Sequence, residues 1–280
     1  SPEIGVMVYL RKLNMTNFVQ RMLSSFAILL FVAGVTFVKI QVFYVLIGMM
    51  LAASAFEWSN LYTKKTAHNF IFSSICVLLY CLAVYFDCGW LVYISLIWWA
   101  LIFIMLGCYV KHPTPGLKWS RITHIAHGLM LLVPMAMTLV IIRTFGIEYL
   151  VILFVWVWST DLGGYLFGMN LGKHKLLPAV SPGKSIEGLL GSLIVVAAST
   201  SLLYYFFDFD SYSLLEYILV AIIVSLFAVI GDLYESMVKR RFAVKDSGSC
   251  IPGHGGMLDR FDSLTAAAPV LAALLFFMPS

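Results

Sequence analysis

The chain has 280 residues, 61% of them hydrophobic and 11% charged, with a net charge of +4 and a mean hydropathy of +0.95. An ordinary soluble domain carries about 25% charged residues, so these figures exclude one and predict an all-α, polytopic membrane protein. The length leaves no room for a membrane anchor plus a full soluble catalytic domain, so any chemistry must come from loops and helix ends. Five cysteines (76, 81, 88, 108 and 250) with no Cys-x-x-Cys exclude a disulfide framework, a zinc ribbon and a redox pair.

In chain order, residues 1–21 mix apolar and basic positions as an interfacial amphipathic helix does. No cleavable signal is expected, because Arg11, Lys12 and Arg21 precede an apolar run that lacks a small-residue cleavage site. Stretches free of Asp, Glu, Lys and Arg then run over 22–38, 40–56, 66–86, 88–110, 122–142, 188–207, 217–231 and 263–280, and 149–172 is interrupted only by Asp161. A helix needs about 20 apolar residues to cross the hydrocarbon core, which predicts about nine spans, the first two forming a short hairpin around Lys39–Gln41. Residues 22–142 read as the N-terminal transmembrane helices and 143–280 as a C-terminal catalytic transmembrane region, integrated into one domain. With nine spans, sixteen of the 18 basic residues fall on the side of the N-terminus and only Lys39 and Arg143 on the other. The positive-inside rule then predicts a cytoplasmic N-terminus and cytoplasmic even-numbered loops.

Two of those connections, 161–188 and 231–263, are rich in Gly, Pro and charge. The second holds Asp232, Glu235, Asp246, Asp259 and Asp262 with Lys239, Arg240, Arg241, Lys245, His254 and Arg260. On a helix continuing from the eighth span, Asp232, Glu235, Ser236 and Lys239 share one face, and Asp259 and Asp262 form a second same-face pair. Two converging acidic stripes suit a hard divalent cation such as Mg²⁺, which takes a few carboxylates plus phosphate oxygens and water. The neighbouring Lys and Arg suit an anionic substrate. His254, among three glycines, can donate to a phosphate or act as an acid, or be structural. Ser181–Ser185, SPGKS, reads as the start of the seventh span, with Ser181 as N-cap and Pro182 in the first turn. There, Lys184 and free N–H groups make an anion site, or simply a capped helix with a snorkelling lysine. It is not a phosphate-binding GxxxxGK[ST] loop, since Pro178 stands where the first Gly is required. Asp161 is a functional group or a hydrogen-bonded structural one. His124 and His127 are expected at the interface, and Asp208, Asp210 and Glu216 as solvated loop charges.

Residues Ser236 to Asp262, SMVKRRFAVKDSGSCIPGHGGMLDRFD, closely resemble the signature of the phosphatidate cytidylyltransferases, or CDP-diacylglycerol synthases, of the bacterial type. That signature runs S-x-x-K-R-x4-K-D, a Pro-Gly turn, H-G-G and D-R-x-D. The GDLYES and GKHKL…SPGKS…EG segments resemble family blocks as well. Departures are Ser185 where Thr is usual, Met169 where a basic residue is common, and Gly191-Ser192 for Gly-Gly. The resemblance implies Mg²⁺-dependent conversion of CTP and phosphatidic acid to CDP-diacylglycerol and pyrophosphate, by a homodimer in the bacterial inner membrane with a cytoplasmic active site and no nucleic-acid partner. It implies Asp232 and Asp259 as metal ligands, with K⁺ possible as a second ion, and Lys239, His254, Arg260 and Asp246 beside them in catalysis. Ser181, Lys184, Ser185, Glu235, Ser236, Arg240, Lys245, Asp262 and Asp161 are then the substrate-binding set. A CTP-dependent polyprenol or dolichol kinase and a secondary transporter are the alternatives.

Overall fold

The computed structural model describes residues 34, 38–112, 119–207, 213–248 and 255–277. Among them are eight helical spans long and apolar enough to cross a bilayer. In order they are α1 (Ile40–Tyr62), α2 (Thr66–Tyr85), α3 (Leu91–Lys111), α4 (Arg121–Phe145), α5 (Ile147–Leu171), α6 (Ile186–Phe206) and α7 (Leu214–Arg241). The eighth, Leu258–Phe277, is built from α8 (Leu258–Phe261) and α9 (Leu264–Phe277). These match the second to ninth of the expected spans. The expected interfacial segment, and the first span apart from Gly34 and Val38, lie outside the described residues.

The bundle is layered around α4 and the last span, whose apolar windows are 78% and 72% buried, against 28% to 50% for the other helices. The outer helices therefore keep an apolar face open, as at Ile97, Leu101, Phe103 and Ile104 on α3 and Ile194 and Leu202 on α6. In a bilayer such faces meet lipid at no cost, which is why their sequences are apolar all round. The α5–α6 pair packs on small residues. A Cβ on Gly163 would stand 2.6 Å from the Ser192 Cα, one on Gly188 would stand 2.9 Å from the Gly164 carbonyl oxygen, and one on Gly191 would overlap the Phe167 side chain. Close backbone approach of this kind holds helices together where lipid removes the hydrophobic drive.

At 28 residues, α7 is about 42 Å long and outruns a hydrocarbon core of about 30 Å. Its last three turns carry Asp232 to Arg241 beyond the apolar run. Glu216, expected as a loop charge, instead completes a capping box at its other end: the Ser213 side chain accepts from the Glu216 N–H, and the Glu216 carboxylate accepts from the Ser213 N–H at 2.7 Å. Asp208 and Asp210 lie outside the described residues.

SPGKS does not open a helix. Ser181–Ser185 is a strand, β2, paired antiparallel with β1 (Lys175–Leu177), and α6 begins at Ile186. Ser185, rather than Ser181, is the N-cap, its hydroxyl accepting from the Gly188 N–H at 3.1 Å. The physical reason lies at the hairpin base. Glu187 accepts the N–H groups of Lys173 and His174 at 3.1 Å, and the Ile186 N–H donates to the His174 carbonyl at 2.8 Å, so the chain before Ser185 is held extended.

Candidate active site

The ends of α1, α5 and α7, the starts of α4, α6 and the last span, and the β-hairpin gather at one end of the bundle. The hairpin is fastened to α7 by the Arg240 Nε–H, which donates to the carbonyl of the buried Val180 at 3.4 Å. This fastening carries Lys184 to Asp232: Nζ to Oδ2 is 2.5 Å, with both side chains about one quarter exposed. One turn along α7, Ser236 donates to the other Asp232 oxygen at 3.3 Å. Beside this pair opens a cavity of about 320 Å³ with a mixed lining, polar at Thr160, Asp161, Lys184, Ser192 and Asp232 and apolar at Leu189 and Val229. Asp161 feels the charges of Asp232, Lys184 and Arg260, and Asp262 those of Asp232 and Asp161. Asp161 from α5 and Asp232 from α7 thus line one cavity.

Asp259 belongs to a second cluster. Its Oδ1 accepts from Lys239 Nζ at 2.7 Å, and its Oδ2 from the N–H groups of Gly256 at 2.8 Å and Ser247 at 3.0 Å and the Ser247 hydroxyl at 3.0 Å. Lys239 also lies 3.2 Å from Glu235, which is 3% exposed. The acidic stripe expected on α7 thus exists as a helix face but is shared between two neighbourhoods, Asp232 and Ser236 toward the cavity, Glu235 and Lys239 toward Asp259. Asp262 is separated from Asp259 by the end of α8, its Oδ1 accepting from the Ser263 N–H at 2.6 Å. Lys245 and Asp246 are exposed in the connection after α7, and Arg260 is exposed on α8. Ser181 is half-buried in β2. His254 lies outside the described residues.

Sequence reasoning missed Glu57. Near the end of α1 and 3% exposed, it accepts from the N–H groups of Met257 at 3.0 Å and Leu258 at 2.9 Å and from the Ser247 hydroxyl at 3.2 Å. Its signal was its isolation: no other acid occurs between residues 4 and 86. His124 and His127, expected at the interface, lie in the first two turns of α4 and are 2% and 8% exposed, inside an aromatic stack. The His124 ring lies 4.9 Å from that of Trp58 and donates through Nε2 to the Trp58 carbonyl at 2.8 Å, while His127 stacks on Trp119 at 4.4 Å and its Nδ1 lies 2.5 Å from the Tyr234 hydroxyl. Trp and Tyr supplied the partners that the absence of nearby carboxylates had concealed.

Cations and acids are thus interleaved at this end of the bundle, beside a cavity with both polar and apolar lining. A model of the cytidylyltransferase family matches residues 19–278. The chain belongs to that family. This cytidylyltransferase is 34% identical over 266 residues to a phosphatidate cytidylyltransferase of Pseudomonas aeruginosa, covering 92% of the present chain and 96% of the relative. It is 48% identical over 136 residues to the protein of that name from Staphylococcus haemolyticus, covering 49% and 52% of the two chains. A Staphylococcus aureus phosphatidate cytidylyltransferase is likewise 48% identical over 133 residues, or 48% and 51%. The protein is thus a membrane nucleotidyltransferase.

A hard divalent cation, which nucleotidyl transfer to a phosphate commonly employs, can be tested against the side chains of this cytidylyltransferase. Asp161 and Asp232 line the cavity beside Lys184, and their carboxylate oxygens are donors that suit such an ion. Among the described residues no three His, Cys, Asp or Glu side chains converge at ligating distance, so an ion there would take part of its coordination from water and substrate phosphate, as Mg²⁺ commonly does. The residues fit the group on that basis. Asp259 fits less well, since both its oxygens are taken by Lys239, Ser247 and Gly256.

Proposed function

We propose that the protein transfers the cytidylyl group of CTP to phosphatidate, releasing pyrophosphate and forming CDP-diacylglycerol. One observation carries the reading: the Lys184–Asp232 ion pair and the apolar side chains of Leu189 and Val229 line the same cavity. A nucleotide triphosphate needs the first environment and a diacyl lipid the second, and the near full-length relative from Pseudomonas aeruginosa supports the pairing. A phosphate oxygen of phosphatidate attacks the α-phosphorus of CTP, a new P–O bond forms, and the bond to the β-phosphate oxygen breaks. No covalent enzyme intermediate is needed, so the side chains work by positioning and by neutralising charge.

In this proposal Asp232 and Asp161, with Asp262 nearby, would hold Mg²⁺, which would withdraw charge from the triphosphate. Lys184 leaves Asp232 to bind phosphate oxygens, and Arg260, Arg240 and Lys245 add positive charge around them. Ser236 steadies Asp232, and Asp259 with Lys239 fixes the segment that carries Arg260 and Asp262. Ser185 lines the cavity, and Ser181 and Asp246 would meet the substrates from the hairpin and from the connection after α7. The site faces the cytoplasm, a reading supported by the sixteen-to-two distribution of basic residues. The experiment is direct: purified protein, α-labelled CTP, phosphatidate and Mg²⁺ should yield labelled CDP-diacylglycerol and one pyrophosphate per lipid. Folded protein that instead phosphorylated a polyprenol, or gave neither product, would overturn the assignment.

A further inference from the structure

Glu57 contributes nothing to the cavity, yet the structure spends an unusual amount of chain on it. It comes from α1, about 200 residues before its partners, and is buried where a lone carboxylate is costly. Three donors satisfy it, and all belong to the segment that carries the signature: Ser247 Oγ, Met257 N and Leu258 N. Two glycines make the space. A Cβ on Gly248 would stand 2.5 Å from one Glu57 oxygen, and one on Gly256 would overlap the other. The contact leads on to the chemistry, because the Ser247 hydroxyl lies 3.2 Å from Glu57 and 3.0 Å from Asp259, and Asp259 in turn holds Lys239. Its two backbone bonds fix the start of the helix on which Arg260 lies two residues further on and Asp262 four.

We propose that Glu57 is a positioning residue for nucleotidyl transfer: from α1 it fixes Ser247 and the start of α8, and thereby sets where Arg260 and Asp262 stand relative to Asp232. The inference rests on the cytidylyl-transfer reading of the site. Groups that orient the residues around a metal or phosphate centre typically matter by about 10–100-fold in activity or ion affinity. Glu57→Gln keeps the size of the side chain but replaces one oxygen by an NH₂ that cannot accept, so either the Met257 N–H or the Leu258 N–H and Ser247 hydroxyl lose their acceptor. Glu57→Asp keeps the charge on a shorter arm.

The test compares wild type, Glu57→Gln and Glu57→Asp as purified, monodisperse full-length protein. For Glu57→Gln we expect kcat to fall about 10–100-fold and the Mg²⁺ half-saturation to rise by a similar factor, with the KM for phosphatidate within about twofold of wild type. Glu57→Asp should recover a substantial part of kcat. Hydrogen exchange, which needs no turnover, should show faster exchange in Glu57→Gln at Ser247 and Gly256 to Leu258, with α4 and α5 unchanged. A space test supports this: Gly248→Ala should impair the wild type but add no further loss to Glu57→Ala, where the alanine has room. Unchanged kcat, ion half-saturation and local exchange in Glu57→Gln would overturn the proposal. So would a uniform rise in exchange over all helices, which marks a merely stabilising residue. If wild type makes no CDP-diacylglycerol, the reading of the reaction fails, while the exchange and glycine results still decide whether Glu57 fixes this segment.

Discussion

Asp232 has an ammonium on one side and a hydroxyl on the other, Lys184 from the hairpin and Ser236 from one turn down its own helix. A carboxylate so placed can exchange the lysine for a cation and substrate phosphate without moving its backbone. Asp232→Asn keeps the shape and the Ser236 contact but loses the charge, and turnover of CTP with phosphatidate should fall by about 10²–10³, the usual cost of removing one preorganised electrostatic contact. Lys184→Gln should act mainly on nucleotide binding, raising the KM for CTP by about tenfold or more as one charge-assisted phosphate contact is lost. Steady-state assays over a CTP series separate the two, and equal effects on both parameters in both variants would contradict these roles. At this scale the sequence was informative because charge is rare in the chain as a whole: Asp232, Lys239 and Asp259 stood out as members of one crowded connection, 231–263. It was silent on which acids face each other. Spacing of three and four places Asp232 and Glu235 on one helix face, but only the packing of the last span shows that Asp259 takes Lys239 while the Asp262 backbone lies against Gly231, next to Asp232.

Among the elements, α5 and α6 are bound most closely, through Gly163, Gly188 and Gly191. The hairpin carrying Lys184 sits directly between the end of one and the start of the other, so their separation sets the height of Lys184 over the cavity. Gly191→Leu must push Phe167 aside. It should cost about 1–3 kcal/mol of stability, seen as a lower thermal midpoint in detergent, and should reduce activity beyond the loss of folded protein. Replacing Gly164, around which a Cβ would meet nothing within 4 Å, by Ala should leave the midpoint unchanged. Most helices were legible from apolar runs to within a few residues, because a span that faces lipid on one side and protein on the other has to be apolar throughout; α1 and α7 run six and ten residues past theirs, where polar residues begin. The hairpin was not. Its strands are three and five residues long, with a register shift between them, and SPGKS satisfies helix-start rules by itself. What decides against a helix there is Glu187 gathering the N–H groups of Lys173 and His174, a contact between residues 13 or 14 apart.

For the whole molecule, the described contacts tie the first helices to the last. Trp99 on α3 donates to the Thr265 carbonyl at 2.9 Å, Trp58 on α1 to the His124 carbonyl at 3.0 Å, and Glu57 reaches the last span. Helices outside the signature thus build the floor on which it rests, a role that composition could not reveal because apolar spans look alike. Orientation is testable at this scale. In a variant lacking the native cysteines, His174→Cys, whose side chain is 75% exposed in the original residue, should react with an impermeant maleimide only from the cytoplasmic side of membrane vesicles. Labelling from the outside would reverse the assignment.

The apolar lining of Leu189 and Val229 beside a polar pair has a kinetic meaning as well. A lipid that enters past such a lining arrives by diffusion in two dimensions, so the concentration the enzyme senses is a mole fraction in the surface and not an amount per litre. Holding bulk phosphatidate constant while adding neutral detergent should therefore slow turnover in proportion to the dilution of the surface. Adding more vesicles of unchanged composition should leave the rate per enzyme as it was.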